Sequence, residues 1–85
     1  EENTPAYQPL ASLLPDKQLE LMKAIAADDI VAAPTNGDFI RRHNLKAASS
    51  VSSALKALAD KELIYKTERG YMVYDRLMSL WLRGL

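Results

Sequence analysis

The sequence predicts a small α+β fold, mainly helical, with one short antiparallel hairpin. Three observations predict it. Apolar residues recur at helical spacing in separate stretches between Pro15 and Lys61. Two runs rich in β-branched and aromatic residues, Leu63 to Thr67 and Tyr71 to Tyr74, flank the short linker Glu68-Arg69-Gly70. A last apolar stretch, Leu77 to Leu82, follows Asp75, a residue suited to cap a helix. The 85 residues suit one domain, and a hydrophobic share of 48% is enough for one modest core.

The elements follow in order. Tyr7, Leu10 and Leu14 lie at i, i+3 and i+7, so residues 1–14 read as a short helical arm punctuated by Pro5, Pro9 and Pro15. Pro15 suits the first turn of the next helix, because its missing N–H would have no partner there. That helix runs to about Asp28, with Leu21 above Ile25 and Met22 above Ala26. Asp28 and Asp29 oppose the helix dipole, which predicts a frayed end. Ile30 to Ala33 is apolar and partly β-branched, and reads as a short strand before Pro34.

Thr35-Asn36-Gly37-Asp38 resembles a capping box, with Thr35 as the cap and Asp38 reaching back. A second, short helix then carries Phe39, Ile40, Arg41, Arg42 and His43. Asn44 tolerates the left-handed backbone that ends such a helix, and Leu45 can plug the turn. The third helix runs from about Ala47 to Lys61, with Val51, Leu55 and Leu58 as its buried stripe. Ala47 stands where a serine or threonine cap is expected, at a cost of about 1 kcal/mol. The hairpin and a terminal helix complete the chain. Two helices joined by a tight turn and followed by a hairpin make a winged helix–turn–helix. The fallback is a three-helix bundle with an unpaired hairpin segment. Residues 1–14 then form the arm, and residues 15–85 the winged-helix domain.

Composition excludes several chemistries. The chain has no cysteine and one histidine, so a disulfide framework, a thiolate site or a His-rich metal cluster cannot be built. No apolar run approaches the ~20 residues of a membrane span, and no signal-peptide pattern opens the sequence, so a cytoplasmic protein without a membrane partner is expected. Net charge is zero but unevenly spread. Residues 1–37 hold six acids against two bases, whereas residues 38–76 hold eight bases against five acids.

Two stretches carry a family likeness. One is Leu45-Lys46-Ala47-Ala48-Ser49-Ser50-Val51-Ser52-Ser53-Ala54-Leu55-Lys56-Ala57-Leu58, continued by Leu63-Ile64. The other is Gly70-Tyr71-Met72-Val73-Tyr74-Asp75-Arg76-Leu77-Met78-Ser79-Leu80-Trp81-Leu82-Arg83. Together they resemble the C-terminal winged-helix domain of a large prokaryotic group of AAA+-type ATPases. In that group the wing strand runs into Asp and a basic residue or proline, then an apolar helix ending Trp-Leu-Arg. Tyr74-Asp75-Arg76 and Trp81-Leu82-Arg83 match, and Lys17-Gln18 also fits. Ala47 and Asn44 depart from the polar cap and the glycine common there. The resemblance implies a parent protein whose ATPase activity lies in a domain absent here. Gly37, Gly70 and Gly84 are scattered and make no phosphate-binding loop. The chain itself is expected to be no enzyme and to need no cofactor or metal.

Candidate sites follow from the fold. In a helix–turn–helix the second helix of the pair enters the major groove of double-stranded DNA. Its exposed residues here are Ser49, Ser50, Ser53 and Lys56. Arg41, Arg42 and Lys46 can reach phosphates, as can Lys66 and Arg69 on the wing. That helix face has no Asn, Gln or Arg for bidentate base reading, so weak, backbone-directed binding is expected. The alternative is a docking domain that contacts no nucleic acid. On the terminal helix, Leu77 and Trp81 are expected to face the core. Met78, Leu82 and Leu85 would then face the ATPase domain of a parent protein, a second copy, or the N-terminal arm. His43 reads as a dipole-favourable helix end, Asp28-Asp29 as a solvated one, and Tyr65, Tyr71 and Tyr74 as hairpin packing.

Overall fold

A computed structural model describes residues 7–84. The elements are α1 (Tyr7–Ser12), α2 (Asp16–Asp28), α3 (Gly37–Arg42), α4 (Ala48–Asp60), β1 (Ile64–Thr67), β2 (Gly70–Val73) and α5 (Arg76–Arg83). This order is that of a winged helix–turn–helix, and the α+β reading holds.

Helix α2 is the central post. Leu21, Met22, Ile25 and Ala26 are all but closed to solvent, and both α4 and α5 pack against it. From α4, Val51, Ala54 and Leu58 are buried and Leu55 packs at the edge, so the predicted stripe faces inward. Tyr7 and Leu14 belong to the same core, which joins the arm to it.

The hairpin pairs antiparallel, with Ile64 opposite Val73 and Thr67 opposite Gly70. Ile64 and Val73 turn inward. The expected strand at Ile30–Ala33 contracts to one bridge. Val31 and Tyr71 exchange both backbone hydrogen bonds, at 3.0 and 2.8 Å. Pro34 lacks an N–H and biases Ala33, so no ladder extends from there. Gly70 makes the bridge possible. Its φ is 140°, and a Cβ there would lie 2.5 Å from the Val31 carbonyl oxygen.

Helix ends α3 and α4 close in the same way. Asn44 (φ 56°) and Glu62 (φ 62°) take left-handed backbone. Leu45 N–H donates to Ile40 O at 2.9 Å, and Leu63 N–H to Leu58 O at 3.0 Å. These are Schellman closures, each with an apolar residue folded back on the helix.

Three expectations are corrected. The cap of α3 is Asn36, not Thr35: its Oδ1 accepts from Asp38 N at 2.8 Å, so the helix starts one residue later than a Thr35 box would set. The end of α2 is tied down rather than frayed. Asp28 binds Arg42 at 2.9 Å and His43 at 3.2 Å, and Asp29 (φ 70°) binds Arg76 at 3.0 Å, so neighbouring cations offset the adverse dipole. Finally, α5 is rotated from its expected setting. Met78 and Leu82, expected to point outward, are buried, while Leu77 and Leu80 are 63% and 56% exposed. Asp75 fixes the start of the helix by accepting from Leu77 N and Met78 N. Packing on α2 then turns the 78–82 row inward. Trp81 sits half-buried beside Tyr7, whose ring is 5.7 Å away and whose hydroxyl donates to Asp75 at 3.2 Å. Leu85 lies outside the described residues.

Candidate nucleic-acid interface

The sharp turn between α3 and α4 is where the site begins. Asn44 and Lys46 are both left-handed, with φ of 56° and 78°, and between them Leu45 is driven into the core. Ala47 N–H donates to Leu45 O at 3.0 Å, closing a γ-turn around Lys46. A lysine in this conformation carries backbone strain that glycine would not. The turn leads directly into α4, whose cap, Ala47, makes no side-chain hydrogen bond.

The outward face of α4 carries Ser49, Ser52, Ser53 and Lys56, all exposed. They lie at i, i+3, i+4 and i+7, one side of the helix. Asp60, one turn on, is the acid of that side. Ser50 lies partly inward and accepts a 3.3 Å hydrogen bond from Lys17 Nζ at the start of α2. An open groove of about 480 Å³ runs between these two helix starts, lined by Asp16, Lys17, Ser49, Ser50 and Ser53 among others. Among the described residues Lys17, Lys46 and Lys56 make no ion pair.

The chain matches the family model described as "Probable winged helix domain" over residues 5–84. It belongs to that winged-helix family. No curated protein and no solved structure matches it.

In this winged-helix domain the sequence-predicted site residues divide. Lys46, Ser49, Ser53 and Lys56 share the solvent side of α4 and its leading turn. Arg41 is exposed on α3, 3.9 Å from Asp38. Arg42 is engaged internally: it binds Asp28 at 2.9 Å and Asp38 at 3.4 Å and lies 5.9 Å over the Phe39 ring. Hydrogen bonds from Arg42 hold the Asp28 carboxyl below the usual range, against a rise from partial burial and with further help from His43. Arg42 is thus a strut between α2 and α3. Lys66 and Arg69 sit on the hairpin, Lys66 with its ammonium 5.8 Å from the Tyr71 ring centre and Arg69 in the turn that Thr67 Oγ1 organises.

Two residues of the winged-helix surface were not named as candidate DNA contacts from sequence. Ser52 was legible, since it lies three residues from Ser49 and four from Lys56. Lys17 was not, because only tertiary packing brings α2 to Ser50. Among the described residues no group of three metal-ligating side chains converges. Among the described residues no helix is long and apolar enough to cross a membrane.

Proposed function

We propose that this winged-helix domain is a non-catalytic module that contacts double-stranded DNA through α4, largely by its phosphates. One observation carries the reading. The exposed side of α4 is built of serines and Lys56, and Lys17 and Lys46, which make no ion pair among the described residues, border its start. Small hydroxyls let a helix approach a groove closely and donate to phosphate or base edge without selecting a base. The lysines supply the sequence-independent attraction. The wing adds Lys66 and Arg69. Likeness to the C-terminal domain of AAA+-type ATPases supports a role in carrying an ATPase-like parent onto DNA.

Fluorescence anisotropy with labelled duplexes at low salt tests this. Binding in the non-specific range of ~10⁻⁴–10⁻⁶ M is expected, nearly independent of sequence and weakening steeply with salt. Lys56→Ala should weaken it evenly across sequences and lower the salt slope by about 1. No binding at high micromolar protein overturns the proposal and leaves protein docking as the role of the module.

A further inference from the structure

A second polar site lies off the α4 face. A cleft of about 330 Å³ opens where α2 meets the ends of α3 and α5. Ala24, Ala27 and Leu82 supply its apolar lining. Its walls carry Lys23 and Arg83, with His43 and Asn44 between them and Glu20 at the edge.

Most of these polar groups are already positioned. Arg83 donates from Nε to the Ala26 carbonyl oxygen at 2.9 Å, which fixes the guanidinium and leaves its two terminal nitrogens without a partner among the described residues. His43 is pinned by Asp28 at 3.2 Å and by the Phe39 ring at 4.8 Å. Asn44 is held by the left-handed closure of α3, and its side-chain amide makes no hydrogen bond among the described residues. Lys23 and Arg83 make no ion pair there either, although Glu20 stands one turn before Lys23. Asp28, which holds His43, is also bound by Arg42 at 2.9 Å. The lining of the cleft is thus largely polar, with Arg83 and His43 held in place by neighbours, which gives a small polar ligand fixed points of contact.

We infer that this cleft binds a small oxyanion, a carboxylate or phosphate, that also carries a hydroxyl group. The free edge of the Arg83 guanidinium matches two oxygens of such a group, and Lys23 adds a point charge. The Asn44 amide donates a further hydrogen bond. Glu20 accepts from the ligand hydroxyl, so a hydroxylated anion is favoured over a plain one.

Amide-resolved NMR titration of the whole chain tests the inference. Malate, succinate, glycerol 3-phosphate and inorganic phosphate are added at matched ionic strength, with chloride as the blank. Saturable shifts are expected at Lys23, Asn44 and Arg83, larger in affinity for malate than succinate and for glycerol 3-phosphate than phosphate. A preference for the malate arm identifies a carboxylate ligand, and for the glycerol 3-phosphate arm a phosphate ligand. Losing one charge-assisted contact in Lys23→Ala should weaken binding by about tenfold. Glu20→Gln should erase the preference for the hydroxylated anion. Arg83→Gln should weaken binding similarly; because Arg83 also braces α2, the exposed Lys23 variant decides if that protein unfolds. Lys56→Ala should change nothing. Shifts that grow without saturation, spread equally to Lys46 and Lys56, or survive Lys23→Ala overturn the inference.

Discussion

Gly70→Ala should be the most damaging glycine-to-alanine change among the described residues. Gly70 is buried at the start of β2 with φ 140°, a backbone region nearly closed to other residues. Its new methyl would sit 2.5 Å from Val31 O, 2.6 Å from Val31 C and 2.8 Å from Ala32 Cα. All three are backbone atoms, so no side-chain rotation relieves the clash. Backbone strain of this kind costs about 1–3 kcal/mol. Displacing Val31 also breaks its two hydrogen bonds with Tyr71, each worth about 0.5–1.5 kcal/mol. The combined loss of about 2–6 kcal/mol is a large part of what a chain of this size possesses, about 4–13 kcal/mol. At about 4–8 °C per kcal/mol, Tm should fall by at least about 8 °C, measured by far-ultraviolet circular dichroism on heating. Gly37→Ala is the control. Gly37 opens α3 with ordinary backbone, and its added methyl would meet only the exposed Arg41 guanidinium, at 3.5 Å. That change should stabilise by about 0.5–1 kcal/mol, by restricting the unfolded chain. If Gly70→Ala melts within about 2 °C of the parent, or both variants fall equally, the close approach of Gly70 to Val31 is wrong.

Two further outcomes are expected. Asp28 is held below its ordinary range by Arg42, so it contributes stability above its unfolded-state pKa, and that contribution is lost as acid drives pH down through the folded value. Asp28→Asn should therefore cost stability near neutral pH and flatten the acid-side decline, read from urea midpoints across the acid range; a parallel decline in both proteins contradicts the Arg42 strut. Glu62 bears left-handed backbone at the end of α4, where glycine avoids the penalty. Glu62→Gly should raise stability by about 0.5–1 kcal/mol by equilibrium denaturation, and a loss instead would mean that the carboxylate holds the hairpin.

Local chemistry made much of the fold legible. The repeat of Val51, Leu55 and Leu58 names a helix face without any partner, and Asn44 and Asp75 announce a helix end and a helix start by their own side-chain chemistry. The left-handed stop at Glu62 was not announced, because glutamate has no preference for it and the closure is imposed by Leu63 folding onto Leu58. The cap at α3 was misassigned by one position, since Thr35 and Asn36 are both good caps and only the bond from Asp38 N decides between them. The serine side of α4 was readable from helical spacing. The withdrawal of Arg42 into the Asp28 pair and the arrival of Lys17 at Ser50 were not, because both depend on which helices meet.

The terminal helix shows where periodicity stops being informative. Leu77, Met78, Leu80, Trp81 and Leu82 are apolar nearly all round, so spacing permits more than one inward row. Two neighbours settle the choice. Asp75 sets the first turn through Leu77 N and Met78 N, and Tyr7 from the arm occupies the flank beside Trp81, also binding Asp75. With Trp81 partly covered, the 78–82 row is the one left to face α2, and it buries fully. The arm, from the far end of the sequence, thus packs beside the rotation that α5 adopts on α2. It follows that contact by a partner on the outer side of α5 falls on Leu77 and Leu80, and that Met78 and Leu82 answer to the core.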